Sequence, residues 1–299
     1  MRIDPTFTNN LVASLSSLSA QQQKITQELA SGLRLSSLGD DPLASGQNEA
    51  LSSSISQMDS FVGTVSNVSN RMQAADTALS STVTALNNAL SLATQGANST
   101  LTSTQLKSLA TSLTSIRDSV LSLANSSYQG NYLFAGTSTS SQPFTLDDST
   151  TPATVTYSGD SATLSVTSTT GQHLQTSVPG SQLFGTGTAN DVFSALNTLI
   201  ADYQTGVVPP TAAADLATLH DSLTNLSQQR SVLDSSLSRL TAAGTYAQGQ
   251  QTDLQVAQSN LVSADPASLA TQLSAVTTQR SALLSTIAIV EKGSLFDYL

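Results

Sequence analysis

LSSSISQMDSFVGTVSNVSNRMQAADTALSSTVTALNNALSLA, Leu51 to Ala93, places large apolar residues alternately four and three apart. Leu51, Ile55, Met58, Val62, Val65, Met72, Leu79, Val83, Leu86, Leu90 and Ala93 share one seam, and Ser69 and Asp76 interrupt it. A period of about 3.5 residues held this long predicts a helix that buries a narrow stripe against other helices. At about 1.5 Å per residue it would run for about 65 Å, too long for a compact enzyme core. The two interruptions are either register-setting polar positions or points where the seam meets solvent at a bundle end.

Outward from this stretch the heptad logic recurs. Upstream, Leu11, Leu15, Leu18, Ile25 and Leu29 keep the spacing, with Gln22 in the missing slot. This seam has few large apolar neighbours, so it needs a partner helix. SGLRLSSLGDDP, Ser31 to Pro42, separates the two helices; Asp41 can cap the second and Pro42 suits its first position. Downstream, Gln95 to Thr104 reads as a turn before a third helix with Leu106, Leu109, Leu113, Ile116, Val120 and Leu123. Arg117 and Asp118 on that helix read as solvated charges.

From Gly130 the period changes. Pro143 to Leu146, Ala153 to Tyr157, Thr163 to Thr167 and His173 to Val178 read as strands, with hairpin turns at Ser158 to Ser161 and Thr170 to Gln172. Helix returns with Val192, Leu196, Leu199 and Ile200. Leu216, Leu219, Leu223, Leu226, Leu233, Leu237 and Leu240 then form a seam with Arg230 in one slot, which weakens from Gly244 to Gln251. Asp265-Pro266 repeats the capping arrangement before a last helix with Leu269, Leu273, Val276, Leu283, Ile287 and Val290, where Arg280 takes the open position. The expected fold is mainly α, a long antiparallel helical bundle or coiled-coil rod with a small antiparallel β-rich insertion. The first and last helices match in seam and polarity, so they are expected to pair.

Composition excludes several functions. The 299 residues are 38% apolar but only 10% charged, where about a quarter is usual. A net charge of −10 argues against nucleic acid or an anionic membrane as partner. With no cysteine there is no disulfide framework, thiol nucleophile or thiolate metal site. The opening MRIDPTFTNNLVASL lacks a continuous apolar core, so no cleaved secretory signal is expected, and no run of apolar residues suits membrane insertion. His173 and His220 stand outside any metal-ligand spacing, and no GxSxG, GxGxxG or P-loop occurs. Asp40 and Asp41 could form a carboxylate pair, but a cap before Pro42 accounts for them. Neither catalysis nor a cofactor is expected.

SGLRLSSLGDDP, NRMQAADTALS (Asn70 to Ser80), LANSSYQGNYLFAGTSTSSQPF (Leu123 to Phe144), VPGSQLF (Val178 to Phe184) and SLFDYL (Ser294 to Leu299) together resemble the flagellin superfamily. Within it, Asp41-Pro42 and Tyr132-Leu133-Phe134 resemble the hook-associated protein 3 family of hook–filament junction proteins, while SGLR with Leu33 is also a flagellin spelling. The resemblance implies an adaptor ring made of copies of the chain, touching a neighbouring hook-associated protein and flagellin outside the cell. It implies an inner coiled-coil domain (1–41 and 255–299) that orders on assembly, a helical rod (42–135 and 190–254) and an outer β-rich insertion (136–189). Leu11, Leu15, Leu18, Ile25, Leu29, Leu269, Leu273, Val276, Leu283, Ile287 and Val290 would form the assembly interface. Export would use the flagellar type III route with a cytoplasmic chaperone, and Leu283, Ile287, Leu295 and Phe296 would be its contact. Filament flagellin, or an adhesive surface module seated in residues 138–190 on a flagellin-like rod, are the competing readings.

Overall fold

The computed structural model describes residues 5–37, 39–97, 100–188, 191–208 and 210–295. The chain is mainly α with a small β-rich insertion, and divides into two units, residues 1–57 with 250–299 and residues 58–249. Helices α2 (Pro42–Gly96) and α6 (Ala212–Val262) contribute residues to both.

In the first unit, α1 (Pro5–Ser31) pairs antiparallel with α7 (Pro266–Leu295). Gly32, in the left-handed region at φ 69°, lets α1 end and turn. The turn is fastened to the end of α6: the Arg34 amide donates to the Val262 carbonyl (2.8 Å), and the Ala264 amide to the Gly32 carbonyl (2.9 Å). Both expected caps form. Asp41 accepts from the Ala44 amide (3.0 Å) at the start of α2, and Asp265 from the Ala267 amide (3.0 Å) at the start of α7. Asp40 is a loop staple rather than a second cap: it accepts from the amides of Ser36 (3.1 Å) and Ser37 (2.8 Å) and from Lys24 (2.9 Å).

In the second unit, α2, α3 (Ser103–Ala124), α5 (Val192–Gln204) and α6 share one apolar core. Val65, Met72, Leu79, Leu86 and Ala93 bury one line of α2 every seventh residue; Leu219, Leu226, Leu233 and Leu240 do the same on α6. Gly244 lies against Val65 and Arg230 against Asp76, so here the two helices run antiparallel. The second buried line differs from the expectation. On α2 it is Ala75, Thr82, Ala89 and Gly96, one residue before Asp76, Val83 and Leu90, which are only half-buried. On α3 it is Ala110, Arg117 and Ala124, one residue after Leu109, Ile116 and Leu123. Small side chains at Ala75, Ala89, Gly96, Ala110 and Ala124 let neighbouring helices approach closely, so these positions lie deeper than the flanks of larger residues.

Two two-stranded antiparallel ribbons lie in the insertion, β3 (Phe144–Asp147) with β4 (Thr154–Tyr157) and β5 (Ser165–Thr167) with β6 (His173–Gln175), and one precedes it, β1 (Ser127–Tyr128) with β2 (Asn131–Tyr132). Thr170 to Gln172 does join a hairpin. Ser158 to Ser161 does not, because β4 pairs back onto β3; this segment links two ribbons, and Asp160 folds it by accepting from the amides of Thr137 (2.9 Å) and Ala162 (3.0 Å). Short ribbons cannot make their own core. Phe134, Phe144, Phe184 of α4 (Gly180–Phe184) and Phe193 of α5 therefore pack as one aromatic group, with centroids of Phe144 and Phe184 5.1 Å apart.

Candidate assembly surface

The surface begins with the thin core between α1 and α7. Ile25 is 4% exposed, Leu269 7% and Val276 4%; Leu18 and Leu273 pack against them only in part. Three such side chains contribute about 1.5–3 kcal/mol each, which is little to hold helices of 27 and 30 residues. Leu11, Leu15, Leu283 and Ile287 are half-buried, and Leu29 is exposed. The side chains of Val290 and Leu295, and Phe296 as a whole, lie outside the described residues. Val12 (63% exposed), Leu284 (45%) and Ile289 (71%) add apolar surface that the heptad reading missed, since they sit off the seam. A paired helix that leaves apolar positions on more than one side has surface to offer another helix.

Both polar slots in the terminal seams are filled by each other. Arg280 donates through Nη1 to Oε1 of Gln22 (2.9 Å), so the missing apolar residue of α1 faces the missing one of α7. The same holds in the second unit, where Arg230 Nε and Nη2 grip Asp76 (2.5 and 3.3 Å). Asp76 is therefore paired across two helices and does not mark the end of a bundle. Ser69, the other interruption, is half-buried, and its hydroxyl oxygen is buried without a hydrogen-bond partner.

Arg117 corrects the sequence reading. Its side chain is 6% exposed, not solvated: Nε and Nη2 bond Asp118 (3.0 and 2.8 Å), and Nη1 bonds Asp148 (3.2 Å) and Asn197 (3.3 Å). Asn197 in turn donates to the Ala153 carbonyl (2.7 Å), so one guanidinium ties α3, α5 and the β3–β4 connection. No local signal announces this, because its partners outside the helix lie 31 and 80 residues away.

Electrostatic shifts mark fixed loops rather than reactive groups. Lys24, then the Ser37 and Ser36 amides, hold the Asp40 carboxyl well below its ordinary value. Thr137 and neighbouring amides bring Asp160 down to about 2. Burial, with Asp202 and Asp215 nearby, pushes the Tyr203 hydroxyl up to about 12, and that hydroxyl donates to the Ala93 carbonyl (2.7 Å). His173 bonds Thr167 (3.1 Å) at the edge of a ribbon, and His220 is exposed on α6. Among the described residues no group of three His, Cys, Asp or Glu is placed to hold a metal ion, and no helix is long and apolar enough to cross a membrane. What the arrangement offers is helix surface for association.

Residues 6–139 match the model of the bacterial flagellin N-terminal helical region, and residues 216–299 that of the flagellin C-terminal helical region. The chain belongs to the flagellin family. This flagellin-family chain is 29% identical over 264 residues to flagellar hook-associated protein 3 of Salmonella typhimurium, covering 82% of this chain and 83% of that protein. Its fold is similar to that of a putative flagellar hook-associated protein from Vibrio parahaemolyticus (TM-score 0.67, 22% identity, 75% of this chain and all of that one). It is similar also to the flagellar junction protein FlgL from Legionella pneumophila (TM-score 0.60, 16% identity, 73% of this chain and all of that one). The chain is a structural protein of the bacterial flagellum.

Proposed function

We propose that this flagellin-family chain is the adaptor between hook and filament, a ring of its own copies lying between a neighbouring hook-associated protein and flagellin. The observation that carries the reading is the thin α1–α7 core beside apolar positions that stay half-buried, at Leu11, Leu15, Leu283 and Ile287, or exposed, at Leu29. Residues 1–41 and 255–299 would then form an inner domain that completes its packing only in the assembly. Residues 42–135 and 190–254 form the rod, and 136–189 the outer domain. Each copy would offer the same surface to the next in head-to-tail order, the symmetry of a ring or helical tier. Before assembly, the apolar face of α7 around Leu283 and Ile287 suits capture by a cytoplasmic export chaperone, with Leu295 and Phe296, which follow in sequence, as further contacts. The protein would leave through the flagellar type III route with its N-terminus intact, act outside the cell, and carry out no catalysis.

The test is where it sits. Immunogold labelling of intact flagella should place the chain in a band at the hook boundary. Label distributed along the filament would make it a filament subunit instead. Deletion of residues 138–190 should leave swimming intact; loss of surface attachment alone would support the adhesive module.

A further inference from the structure

The corner where α5 ends and α6 begins brings two acids together. Asp202 lies in the last turn of α5 and Asp215 in the first turn of α6. Oδ2 of each is buried and has no hydrogen-bond donor, although the two side chains stand within hydrogen-bonding reach of each other. Their neighbours do not supply a donor. Tyr203 lies beside both acids, but its hydroxyl donates to the Ala93 carbonyl of α2 (2.7 Å). Lys107 of α3 reaches the connecting loop at Gly206 and leaves both Oδ2 atoms unpaired, and no cation pulls on Asp202. Two carboxylates that are both charged and both without donors make a costly arrangement, since each buried oxygen loses its hydration and each group repels the other.

One proton removes both costs, because a carboxyl group can donate to a carboxylate. The helix ends decide which acid carries it. The positive N-terminal end of α6 favours negative charge on Asp215, while the carbonyl end of α5 disfavours it on Asp202. Burial, then the charge of Asp215, raises the Asp202 pKa, which is the same direction. The turn that carries Asp202 also carries Tyr203, whose ring fills the space beside Gly96 at the end of α2, so a change at this corner reaches three helices.

We propose that Asp202 and Asp215 share a single proton, carried by Asp202 and donated to the Asp215 carboxylate, as a clasp between the end of α5 and the start of α6 that lets go as pH rises. The device is reversible and needs no movement of the chain to set it, only loss of one proton to solvent.

The experiment uses the full chain, with NMR following the side-chain carboxyl carbons through a pH titration. The pair should titrate in two steps, the upper one above the ordinary aspartate value of 3.8. Asp215→Asn removes the charge and offers an amide donor to the ionised form, so it should bring the Asp202 step down by about one unit. An Asp202 step that stays in place would mean that burial alone holds it, and overturns the proposal. Asp202→Asn supplies a donor at every pH. Solvent exchange at the amides of Thr205, Gly206 and Asp215, which bond within the corner, should therefore gain an extra quickening above the intrinsic rate as pH rises in the native chain and not in this variant. The same extra quickening in both chains overturns the clasp. A metal ion is the other way to satisfy two carboxylates: magnesium that raises the thermal midpoint of the native chain, and of neither variant, overturns the shared proton, while an unmoved midpoint beside a shifted Asp202 step supports it.

Discussion

Replacing Asp76 by Ala should cost far more than its place on a helix flank suggests. The carboxylate and Arg230 are 28% and 31% exposed, between a surface pair, worth about 0–1 kcal/mol, and a buried pair, whose breaking costs about 3–5 kcal/mol. With two hydrogen bonds from one guanidinium, the loss should be about 1–3 kcal/mol, reduced by Asp234, whose charge also favours Arg230 and is opposed by Asp76. Asp76→Leu with Arg230→Leu should recover most of that loss, because both slots then continue apolar seams. The same double variant removes a polar pair that penalises a shifted register between two repeating apolar lines, so it should keep most of the stability while losing uniqueness. Urea unfolding followed by circular dichroism gives the energies through a double-mutant cycle. Two-dimensional NMR reports whether one set of resonances survives. If Asp76→Ala lies within about 0.5 kcal/mol of the native chain, the pair does not set register and the reasoning fails.

Two glycines of α6 should respond in opposite senses. A Cβ at Gly244 would sit 2.7 Å from Cγ1 of Val65, so Gly244→Val should destabilise by about 1–3 kcal/mol. Gly249 has open space around it, and Gly249→Ala should stabilise by about 0.5–1 kcal/mol in the same urea assay. Asp40 is held below its ordinary 3.8 in the folded chain, so its contribution is complete above that value and is lost as pH falls toward the folded value. A pH series of Asp40→Asn against the native chain should show the difference vanish in acid. Asp202 has the opposite sign: burial, then Asp215, raises its pKa, so it weakens the fold as pH rises through and above the carboxylate range. Asp202→Asn should accordingly raise the thermal midpoint at neutral pH and not below about pH 4.

Large apolar side chains at heptad spacing announced α1, α2, α3, α6 and α7, since each helix buries a narrow stripe. The deeper second lines were hidden because Ala75, Ala89 and Ala110 carry little hydrophobic signal and matter through closeness. Gly244 had the same effect on α6: the fading seam is where Val65 approaches the backbone, not where the helix ends, and α6 continues to Val262. Strand positions could be read from Thr, Val and aromatic content, but the pairing of β4 with β3 depends on contacts that no local pattern records. The polar slots at Gln22, Asp76, Arg230 and Arg280 were each visible as exceptions. Their matching required the antiparallel pairing, since Arg230 lies 154 positions from Asp76 and Arg280 258 from Gln22.

The account rests most heavily on the terminal helices as the assembling surface. Serine at Leu11, Leu15, Leu283 and Ile287 leaves the Ile25–Leu269–Val276 core and the second unit in place. Electron microscopy of cells carrying that variant, with the medium assayed for the exported chain, is the direct measurement. Hooks without filaments, and a folded monomer in the medium, are the predicted result. Filaments of ordinary number and length, with the variant in position at their base, would contradict it.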